Sequence, residues 1–296
     1  MNTNGIILLN KRSGYTSFQE LTYLKRNLGI SKLGHGGTLD KFAEGMLVVL
    51  TGYMTRFNQY LLPLEKTYIG TFHFGKETET LDPEGSIISE AEVPSRQSVL
   101  DVLDQFRGTI LQQPPVYSAV HIDGKRAYRA AREGKQLDMP YRSVQIYDLE
   151  MLSWNPPEAV FSIRCSKGTY IRSLARDIAR AAGSRAYVSA LTRTAVGPFS
   201  LDETVPADRC TLPDDMLSPL EGLSRALSVE QADALPSYER ILSHGSLPQL
   251  HWLDFKEQSD DHEAVIALSG TRGLIGWYLR KGEEISAIYV LQEASG

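Results

Sequence analysis

The residues best able to do chemistry lie in one glycine-rich segment, Lys32-Leu-Gly-His-Gly-Gly-Thr-Leu-Asp40. Gly34, Gly36 and Gly37 can adopt backbone conformations that a Cβ forbids, so this segment can turn tightly and let a ligand approach its backbone. Asp40 ends the segment just before an amphipathic run, and its carboxylate can serve as a nucleophile.

The same segment has two other interpretations. Asp40 can be a helix N-cap that follows an ordinary glycine turn, since short motifs match by chance. The glycines can also form a phosphate-binding loop, although neither G-x-x-x-x-G-K-[ST] nor G-x-G-x-x-G can be read here. Motifs elsewhere in the sequence are needed to choose between these interpretations.

Two predicted elements would carry further side chains of chemical interest. The alternation in Thr67–Phe74 predicts a half-buried strand with Tyr68 on the same face as Phe72 and Phe74. Gly168–Ala182 predicts a helix with an apolar face. The opposite face of that helix carries three arginines at i,i+4 spacing, Arg172, Arg176 and Arg180.

The remaining pattern alternates strands and helices. Ser17 and Glu20 predict a capping box for a helix that ends near Asn27, and Ser95 predicts the start of another helix. A further helix is predicted over Ser228–His244. Strands are predicted over 5–10, 143–149, 159–165, 264–268, 273–279 and 284–291.

The polar, basic stretch from Gly108 to Arg142 is rich in turn residues and is predicted to be a long insertion. Pro206, Pro213 and Pro219, among acidic residues, indicate a boundary or linker.

Composition excludes several classes of protein. A hydrophobic content of 42% and a charged content of 23% are ordinary for a soluble globular protein. No apolar run approaches the ~20 residues that span a membrane, and the start of the chain lacks the features of a signal peptide. The two cysteines and six histidines show no metal-ligand spacing. We therefore expect a cytoplasmic protein with reduced thiols and no metal.

Charge is distributed unevenly along the chain. The net charge is -5, but residues 1–200 carry 24 Lys and Arg against 19 Asp and Glu, whereas residues 201–296 carry 7 against 17. Between Arg164 and Arg193, seven basic residues accompany a single acid, Asp177. A solvated helix face is the ordinary explanation of such a run, but a phosphate-contacting surface is favoured if functional motifs lie within it.

Five segments together carry a family resemblance. They are Gly5-Ile-Ile-Leu-Leu-Asn-Lys11 with Gly14-Tyr-Thr-Ser17, Lys32–Asp40 with Ala43-Glu-Gly45, Lys66-Thr-Tyr68, Gln113-Pro-Pro-Val-Tyr-Ser-Ala-Val120 with Gly124-Lys-Arg-Ala-Tyr128, and Cys165-Ser-Lys-Gly-Thr-Tyr-Ile-Arg172. In this order they resemble the TruB family of tRNA pseudouridine synthases, which convert uridine 55 of the T-loop. Each motif alone is weak, but the ordered set is specific.

The resemblance implies the fold and the domain organisation. We expect the pseudouridine synthase fold, a mixed α/β or α+β architecture with a central mixed sheet. Residues 1–200 would form the catalytic domain, including an RNA-gripping insertion at about 108–142. Residues 201–245 would form a linker or helical segment, and 246–296 a small β-rich, PUA-like C-terminal domain.

The resemblance also implies a role for each motif residue. Asp40 is expected to be the catalytic carboxylate, and Arg172 to pair with it and keep it ionised. Tyr68 would stack on a uracil flipped out of its helix. The other residues expected to bind the substrate are His35, Tyr170 and Leu191, and Asp82 is a minor candidate for orienting Arg172. The residues expected to contact RNA are Lys11, Lys125, Arg126, Arg129, Arg132, Lys167, Arg176 and Arg180.

The expected reaction breaks the bond between N1 and C1′, rotates the uracil and joins C5 to C1′. Its atoms balance, so no cofactor is expected. The expected partner is the T-stem-loop of tRNA, with no membrane and no obligate protein partner.

Other functions stay open from the sequence. One is an rRNA pseudouridine synthase of the guide-RNA-dependent type, and another is a tRNA-folding RNA-binding protein with secondary catalysis. A retaining glycosidase would need a second carboxylate across the bond from Asp40, and no second acid falls inside a comparable motif. Without the resemblance, Tyr68 would be a core residue, Arg172 a solvated one and His35 a turn residue.

Overall fold

The computed structural model describes residues 3–118, 121–122, 125–126 and 139–291. The strands up to residue 206 are β1 (Gly5–Lys11), β2 (Leu33–His35), β3 (Glu44–Thr51), β4 (Lys66–Phe74), β5 (Lys76–Thr78), β6 (Ile87–Glu90), β7 (Gly108–Gln112), β8 (His121–Ile122), β9 (Lys125–Arg126), β10 (Arg142–Asn155), β11 (Glu158–Cys165), β12 (Ala186–Val196), β13 (Phe199–Ser200) and β14 (Val205–Pro206). The later strands are β15 (Val229–Ala234), β16 (Leu253–Glu257), β17 (Glu263–Gly270), β18 (Gly273–Lys281) and β19 (Glu284–Val290).

The helices are α1 (Ser17–Leu28), α2 (Asn58–Leu61), α3 (Arg96–Leu103), α4 (Ile171–Ala181), α5 (Pro219–Ala226) and α6 (Pro236–Ser243). Short 3₁₀ segments occupy Gly52–Phe57, Asp104–Phe106, Leu201–Glu203 and Leu250–Trp252. No described helix is both long enough and apolar enough to cross a membrane.

Ten of the described strands form one large mixed sheet. Its order is β14-β1-β3-β12-β4-β11-β10-β7, with β2 added beside β3 and β13 beside β12. The pairs β1–β14 and β3–β12 are parallel, and the other pairs are antiparallel. A second, small sheet has the order β16-β15-β17-β18-β19. The predicted central mixed sheet and the predicted β-rich C-terminal region are both confirmed.

The alternation of side chains along a strand explains how the large sheet is covered. On β1, Ile6 and Leu8 pack into one apolar cluster, while Ile7 and Leu9 pack into another that includes Leu24 of α1. This strand is therefore buried on both faces, and so is most of β3.

The half-buried strand predicted around Tyr68 is confirmed as β4. Buried and partly exposed residues alternate along all nine of its positions. The buried face, which includes Phe72 and Phe74, packs with Leu174 and Ile178 of α4. This packing fixes α4, and with it Arg172, against the same sheet that carries Tyr68.

The small sheet shares an apolar cluster with the large one. Trp277 of β18 is 2% exposed and packs in the cluster that contains Leu8 of β1. Its ring lies 5.6 Å from the ring of Phe57, at 83°. Tyr53 stacks on Tyr289 of β19, with 4.5 Å between the ring centroids. The two sheets are therefore joined through packed side chains as well as through the chain.

Three local predictions were wrong. The capping box of α1 is formed by Thr16 and Gln19, because Glu20 is buried and pairs with Arg12. The segment predicted as one helix over Ser228–His244 forms β15 followed by α6, since Pro236 sits in the first turn of α6. The start of the predicted insertion, from Gly108, is instead strand β7 of the large sheet.

Candidate active site

The loop that carries Asp40 is fastened on both sides of that residue. Before it, the backbone nitrogen of Leu39 donates to Ser17 Oγ at 3.0 Å, and Ser17 Oγ lies 3.2 Å from the Leu39 oxygen. After it, the backbone nitrogen of Gly14 donates to the Lys41 oxygen at 2.8 Å. The start of α1 therefore holds the loop in place.

The glycine-rich part of the loop needs glycine at one position in particular. Gly37 has φ of 118°, which residues with a Cβ rarely adopt. Its carbonyl oxygen accepts a hydrogen bond at 3.1 Å from Nη2 of Arg193.

Lys11, predicted to contact RNA, is instead completely buried beneath the loop. Its Nζ donates to the backbone oxygens of Ala43 at 2.5 Å and Arg12 at 2.9 Å. Burial lowers the pKa of Lys11 to about 8, although the nearby charges of Glu20 and Asp40 favour the charged form. A phosphate contact does not fit this placement. Lys11 instead links the end of β1 to the backbone that follows Asp40.

Arg172, in the first turn of α4, lies between two carboxylates. Its Nη2 donates to Asp40 Oδ1 at 3.0 Å, and its Nε lies 2.9 Å from Asp40 Oδ2 without hydrogen-bond alignment. Its Nη1 donates to Asp82 Oδ2 at 3.0 Å and to the Thr80 oxygen at 2.9 Å. The guanidinium is thus clamped from both sides and aimed at Asp40.

Asp82, the minor candidate for orienting Arg172, does make that contact. It is itself held by local bonds, since its Oδ1 accepts from Thr80 Oγ1 at 2.5 Å and from the Glu84 nitrogen at 3.0 Å. Asp82 and Arg172 are both about 5% exposed, whereas the side chain of Asp40 is 39% exposed. Asp40 is the member of this group that a substrate can reach.

The surroundings of Asp40 act on its ionisation in opposite directions. The protein removes water from around the carboxyl, which raises the pKa of Asp40, and the negative charge of Asp82 adds to this. The charges of Arg172 and Lys11 lower it, but the net direction is upward. A carboxylate that is paired yet poorly hydrated has fewer water hydrogen bonds to lose when it attacks carbon.

Tyr68 and Leu191 lie on the same face of the large sheet, close to each other in the β12–β4 register. Tyr68 is 9% exposed and Leu191 6%, and both pack in a cluster that contains Leu39. Burial raises the pKa of Tyr68, so its hydroxyl stays protonated at neutral pH. Together they offer an aromatic and an apolar surface of the kind that holds a planar ring.

Arg193 is a site residue that was missing from the predicted set. It lies opposite Tyr68 in the β12–β4 register and is only 1% exposed. Its Nε donates to the Met46 oxygen at 2.7 Å, in addition to its bond to Gly37. The available signal was its position two residues after Leu191, which puts both side chains on one face of a strand.

Tyr170 and His35 occupy the edges of this group. Tyr170 is the partly exposed N-cap of α4, and its backbone is held on both sides by the Gln112 side chain, at 2.8 and 3.1 Å. His35 ends β2 and is partly buried. Burial lowers the pKa of His35, and the charge of Arg193 acts in the same direction. Both effects favour the uncharged form of the imidazole ring.

The residues predicted to contact RNA differ widely in placement. Lys167 is exposed just before Tyr170. Arg180 is half exposed and makes a two-pronged ion pair with the buried Glu77, at 2.7 and 3.3 Å. Arg176 is 8% exposed and donates to Asp177 at 2.8 Å and to the Gln113 oxygen at 3.1 Å.

The insertion residues predicted to contact RNA stay predictions. Arg129 and Arg132 lie outside the described residues. Lys125 and Arg126 form strand β9, which pairs with β8, and their side chains are outside the description.

Because Lys167 is exposed and Arg176 is buried, their removal should have different effects on the salt dependence of RNA affinity. Lys167→Gln should reduce the slope of log affinity against log salt concentration by about one, because an exposed ammonium can release one counterion equivalent from RNA. Arg176→Gln should leave that slope unchanged, because its guanidinium is already bound to protein oxygens. Binding titrations across a salt series check both variants, and an equal fall in the two slopes would contradict this assignment.

The aromatic ring of Tyr68 predicts a graded response to substitution. Tyr68→Leu should slow single-turnover conversion about 10- to 100-fold, while Tyr68→Phe should keep more activity, because Phe preserves the stacking surface. Tyr187→Leu is the control, since Tyr187 pairs with His73 on the opposite face of the same strands. Equal losses in the Phe and Leu variants would instead identify the hydroxyl as the essential group.

An accessible carboxylate, an arginine clamped against it and an aromatic ring lie together in this site, an arrangement that can hold a planar ring next to a reactive group. The fold is similar to the solved "Crystal Structure of a Cbf5-Nop10-Gar1 Complex", with a TM-score of 0.67, 25% identity and coverage of 99% of this chain and 84% of that chain. It is also similar to the "Structure of H/ACA RNP bound to a substrate RNA containing 2'-deoxyuridine", with a TM-score of 0.68, 22% identity and coverage of 98% and 85%. The second likeness concerns the fold alone.

Sequence comparison identifies the family. Residues 25–171 match the model of the TruB family pseudouridylate synthase (N terminal domain). The chain is 43% identical over 241 residues to the tRNA pseudouridine synthase B of Borreliella burgdorferi (strain ZS7), with 80% of each chain covered. It is 46% identical over 206 residues to the tRNA pseudouridine synthase B of Bordetella pertussis (strain Tohama I), with 68% of this chain and 84% of that protein covered. The chain belongs to the TruB family of pseudouridylate synthases. It is therefore an isomerase that forms pseudouridine, as the motifs predicted.

Proposed function

We propose that this enzyme converts uridine 55 in the T-loop of tRNA to pseudouridine, with Asp40 as its catalytic carboxylate. The observation that carries the proposal is the pairing of Asp40 with Arg172, at 2.9 and 3.0 Å, beside the ring of Tyr68. The names of the relatives in Borreliella burgdorferi and Bordetella pertussis support tRNA as the substrate.

The reaction needs three things that these residues supply. A uridine flipped out of the stem-loop needs a flat surface, which the Tyr68 ring offers. Breaking the bond between N1 and C1′ needs a carboxylate within reach, and Asp40 is the accessible one. Arg172 keeps that carboxylate aimed and favours its charged form.

The balance of the reaction supports action without a cofactor. The N1–C1′ bond is broken, a C5–C1′ bond is formed, the C5 proton is lost and N1 gains a proton. Atoms and electrons balance within the nucleoside, so no redox partner or group donor is needed. We further propose that the enzyme works in the cytoplasm, without an obligate protein partner.

The decisive assay uses a T-stem-loop RNA with tritium at C5 of its uridines. The purified protein, in excess chelator and without guide RNA, should release tritium from one position, and a carbodiimide-based primer-extension assay should map pseudouridine to position 55. An RNA with cytidine at that position is the matched control and should release none.

Two results would contradict the proposal. Tritium release from the cytidine control would mean that another position reacts. Activity on an rRNA fragment only after addition of a guide RNA would favour the guide-dependent alternative.

A further inference from the structure

The side chain of Gln112, which the proposed reaction does not use, makes two hydrogen bonds to the backbone of a single residue at the edge of the site. Gln112 is the last residue of β7 and is only 1% exposed. Its Oε1 accepts from the nitrogen of Tyr170 at 2.8 Å, and its Nε2 donates to the oxygen of Tyr170 at 3.1 Å. A buried amide that is bonded through both its oxygen and its nitrogen is held in one orientation.

These two bonds fix the point at which α4 begins. Tyr170 is extended, with φ of -102° and ψ of 107°, and its own side chain makes no capping bond. The Gln112 amide bonds to it as a neighbouring strand would bond to an extended residue. The oxygen of Tyr170 also accepts from the nitrogen of Leu174 at 3.0 Å, so it opens the hydrogen-bond ladder of the helix. Gln112 therefore holds the backbone group from which the first turn of α4 is built.

The guanidinium of Arg172 depends on the position of that first turn. Each of its two terminal nitrogens carries two N–H groups. Those of Nη1 bond to Asp82 and to a neighbouring backbone oxygen. Those of Nη2 bond to Asp40 at 3.0 Å and to the backbone oxygen of Tyr117 at 3.2 Å. Because all four N–H groups are used, a shift of the first turn would disturb the contact with Asp40.

The segment that follows β7 contacts the same side of α4. The backbone oxygen of Gln113 accepts from Ser173 Oγ at 2.8 Å and from Arg176 Nη2 at 3.1 Å. Positions 172, 173 and 176 fall within about 100° of one another around a helix. Nε2 of Gln113 donates to the Met139 oxygen at 3.1 Å, near the other end of the predicted insertion. The described start of the insertion therefore supports the part of α4 that carries the site.

We propose that Gln112 is a positioning residue for the reaction, because it fixes the start of α4 and so holds Arg172 against Asp40. This inference rests on the proposed function for the role of Asp40 as the catalytic carboxylate. Since Gln112 is buried, it acts through Arg172 and not by contact with RNA. Its loss should therefore slow the reaction without weakening RNA binding.

The first test is Gln112→Met, because methionine is similar in length and makes neither hydrogen bond. The single-turnover rate at saturating RNA should fall about 10- to 100-fold, since small errors in the placement of a reacting group are costly. RNA affinity, measured by fluorescence anisotropy, should stay within about threefold of wild type, because no group that faces RNA is changed.

Ser184→Ala is the matched control for this variant. Ser184 is 1% exposed, lies beyond the other end of α4, and donates through Oγ to the Glu92 oxygen at 2.6 Å. Its replacement also removes a buried hydrogen bond, so thermal unfolding should occur at a lower temperature in both variants. The rate of conversion should stay at the wild-type value in Ser184→Ala alone.

The second test measures the pKa of Asp40 in the free protein. Aspartate labelled with ¹³C at its side-chain carboxyl gives an NMR titration, and the Asp40→Asn variant identifies the signal of Asp40. The charge of Arg172 lowers the pKa of Asp40. A weaker contact should therefore raise that pKa in Gln112→Met, and the acid limb of turnover should move to higher pH with it. Ser184→Ala should change neither.

Gln112→Asn serves if circular dichroism shows that Gln112→Met does not fold. It keeps a buried amide, but its side chain is one methylene too short to reach both backbone groups of Tyr170. A rate of conversion or a pKa of Asp40 equal to that of wild type, in the folded variant, would overturn the proposal. Equal changes in the Gln112 and Ser184 variants would also overturn it, since they would assign the effect to general loosening.

The NMR titration separates this inference from the proposed function, because it does not depend on any reaction. If Asp40→Asn still converts uridine, the proposed function fails, whereas a raised pKa of Asp40 in Gln112→Met would still support the role of Gln112 in holding Arg172. If Asp40→Asn is inactive and Gln112→Met behaves as wild type, the proposed function stands and the inference is wrong.

Discussion

Asp40→Asn is expected to reduce turnover by at least about 10⁴-fold while leaving RNA affinity within about tenfold of wild type. The substitution keeps the shape of the side chain and removes its negative charge. A neutral amide cannot stabilise or attack a carbon that becomes electron-poor as its bond to N1 breaks. The substitution leaves the ring of Tyr68 and the exposed cations that are predicted to contact RNA unchanged, so the complex should still form.

Tritium release under single-turnover conditions measures the first effect, and anisotropy titration measures the second. Asp101→Asn is the matched control, because Asp101 is an exposed acid on α3 that bonds to Gln97. Conversion by Asp40→Asn within tenfold of the control would show that another group does the chemistry. A collapse of RNA affinity would show instead that Asp40 is chiefly a binding residue.

Arg172→Met is expected to damage both stability and catalysis. It leaves Asp82 buried without its cation, and breaking a buried pair in this way costs about 3–5 kcal/mol in the free energy of unfolding. Turnover should fall because Asp40 loses the group that aims it. Arg172→Lys should recover part of the stability, because it keeps the charge, but less of the turnover, because an ammonium cannot make the forked contact.

The pH profile of Arg172→Lys separates these two effects. Asp40 must be ionised to act, so turnover is lost as pH falls through its pKa. Burial raises the pKa of Asp40 and Arg172 opposes this rise. The acid limb in wild type should therefore lie above 3.8, the ordinary value for Asp, and weakening the contact should move it higher.

Arg180→Met provides the control for that shift. Arg180 lies on the same helix and pairs with a buried acid, Glu77. Loss of Arg180 should also lower the free energy of unfolding, but the acid limb of the pH profile of turnover should stay at the wild-type pH. An acid limb that moves equally in the Arg172 and Arg180 variants would mean that general loosening, not the pairing with Asp40, causes the shift.

The sequence predicted which residues would lie close together better than it predicted the elements that carry them. Asp40, Tyr68 and Arg172 stand in short motifs whose residue types are dictated by chemistry, and the fold brings them together from a loop, a strand and a helix. Asp82 was predicted only as a minor candidate for orienting Arg172, because an acid followed by proline is also explained by a turn.

The buried cations were harder to place. Lys11 and Arg193 are charged side chains, and charged side chains are mostly exposed, so a chain read alone favours solvent or RNA for both. Their partners are backbone oxygens brought near only by the tertiary fold, such as those of Ala43 and Met46. No local sequence pattern indicates such partners. For this reason a phosphate contact was predicted for Lys11, and the buried position of its side chain does not fit that prediction.

The predictions of element type and boundaries were wrong where two local sequence signals competed. Ser17 and Glu20 satisfy the spacing of a capping box, but so do Thr16 and Gln19 one residue earlier. The burial of Glu20 against Arg12 decided the register, and burial is a tertiary property. The strand β15 was predicted as helix for a similar reason, because its pairing with β17 is formed with residues more than thirty positions later.

The packing of Trp277 against Phe57 has a consequence for which substrates can fit. The separation between the small sheet and Asp40 is set by interlocked side chains instead of by a flexible tether, so the protein offers one span and not a range of them. An RNA that touches both places must match that span with a helix of the right number of base pairs.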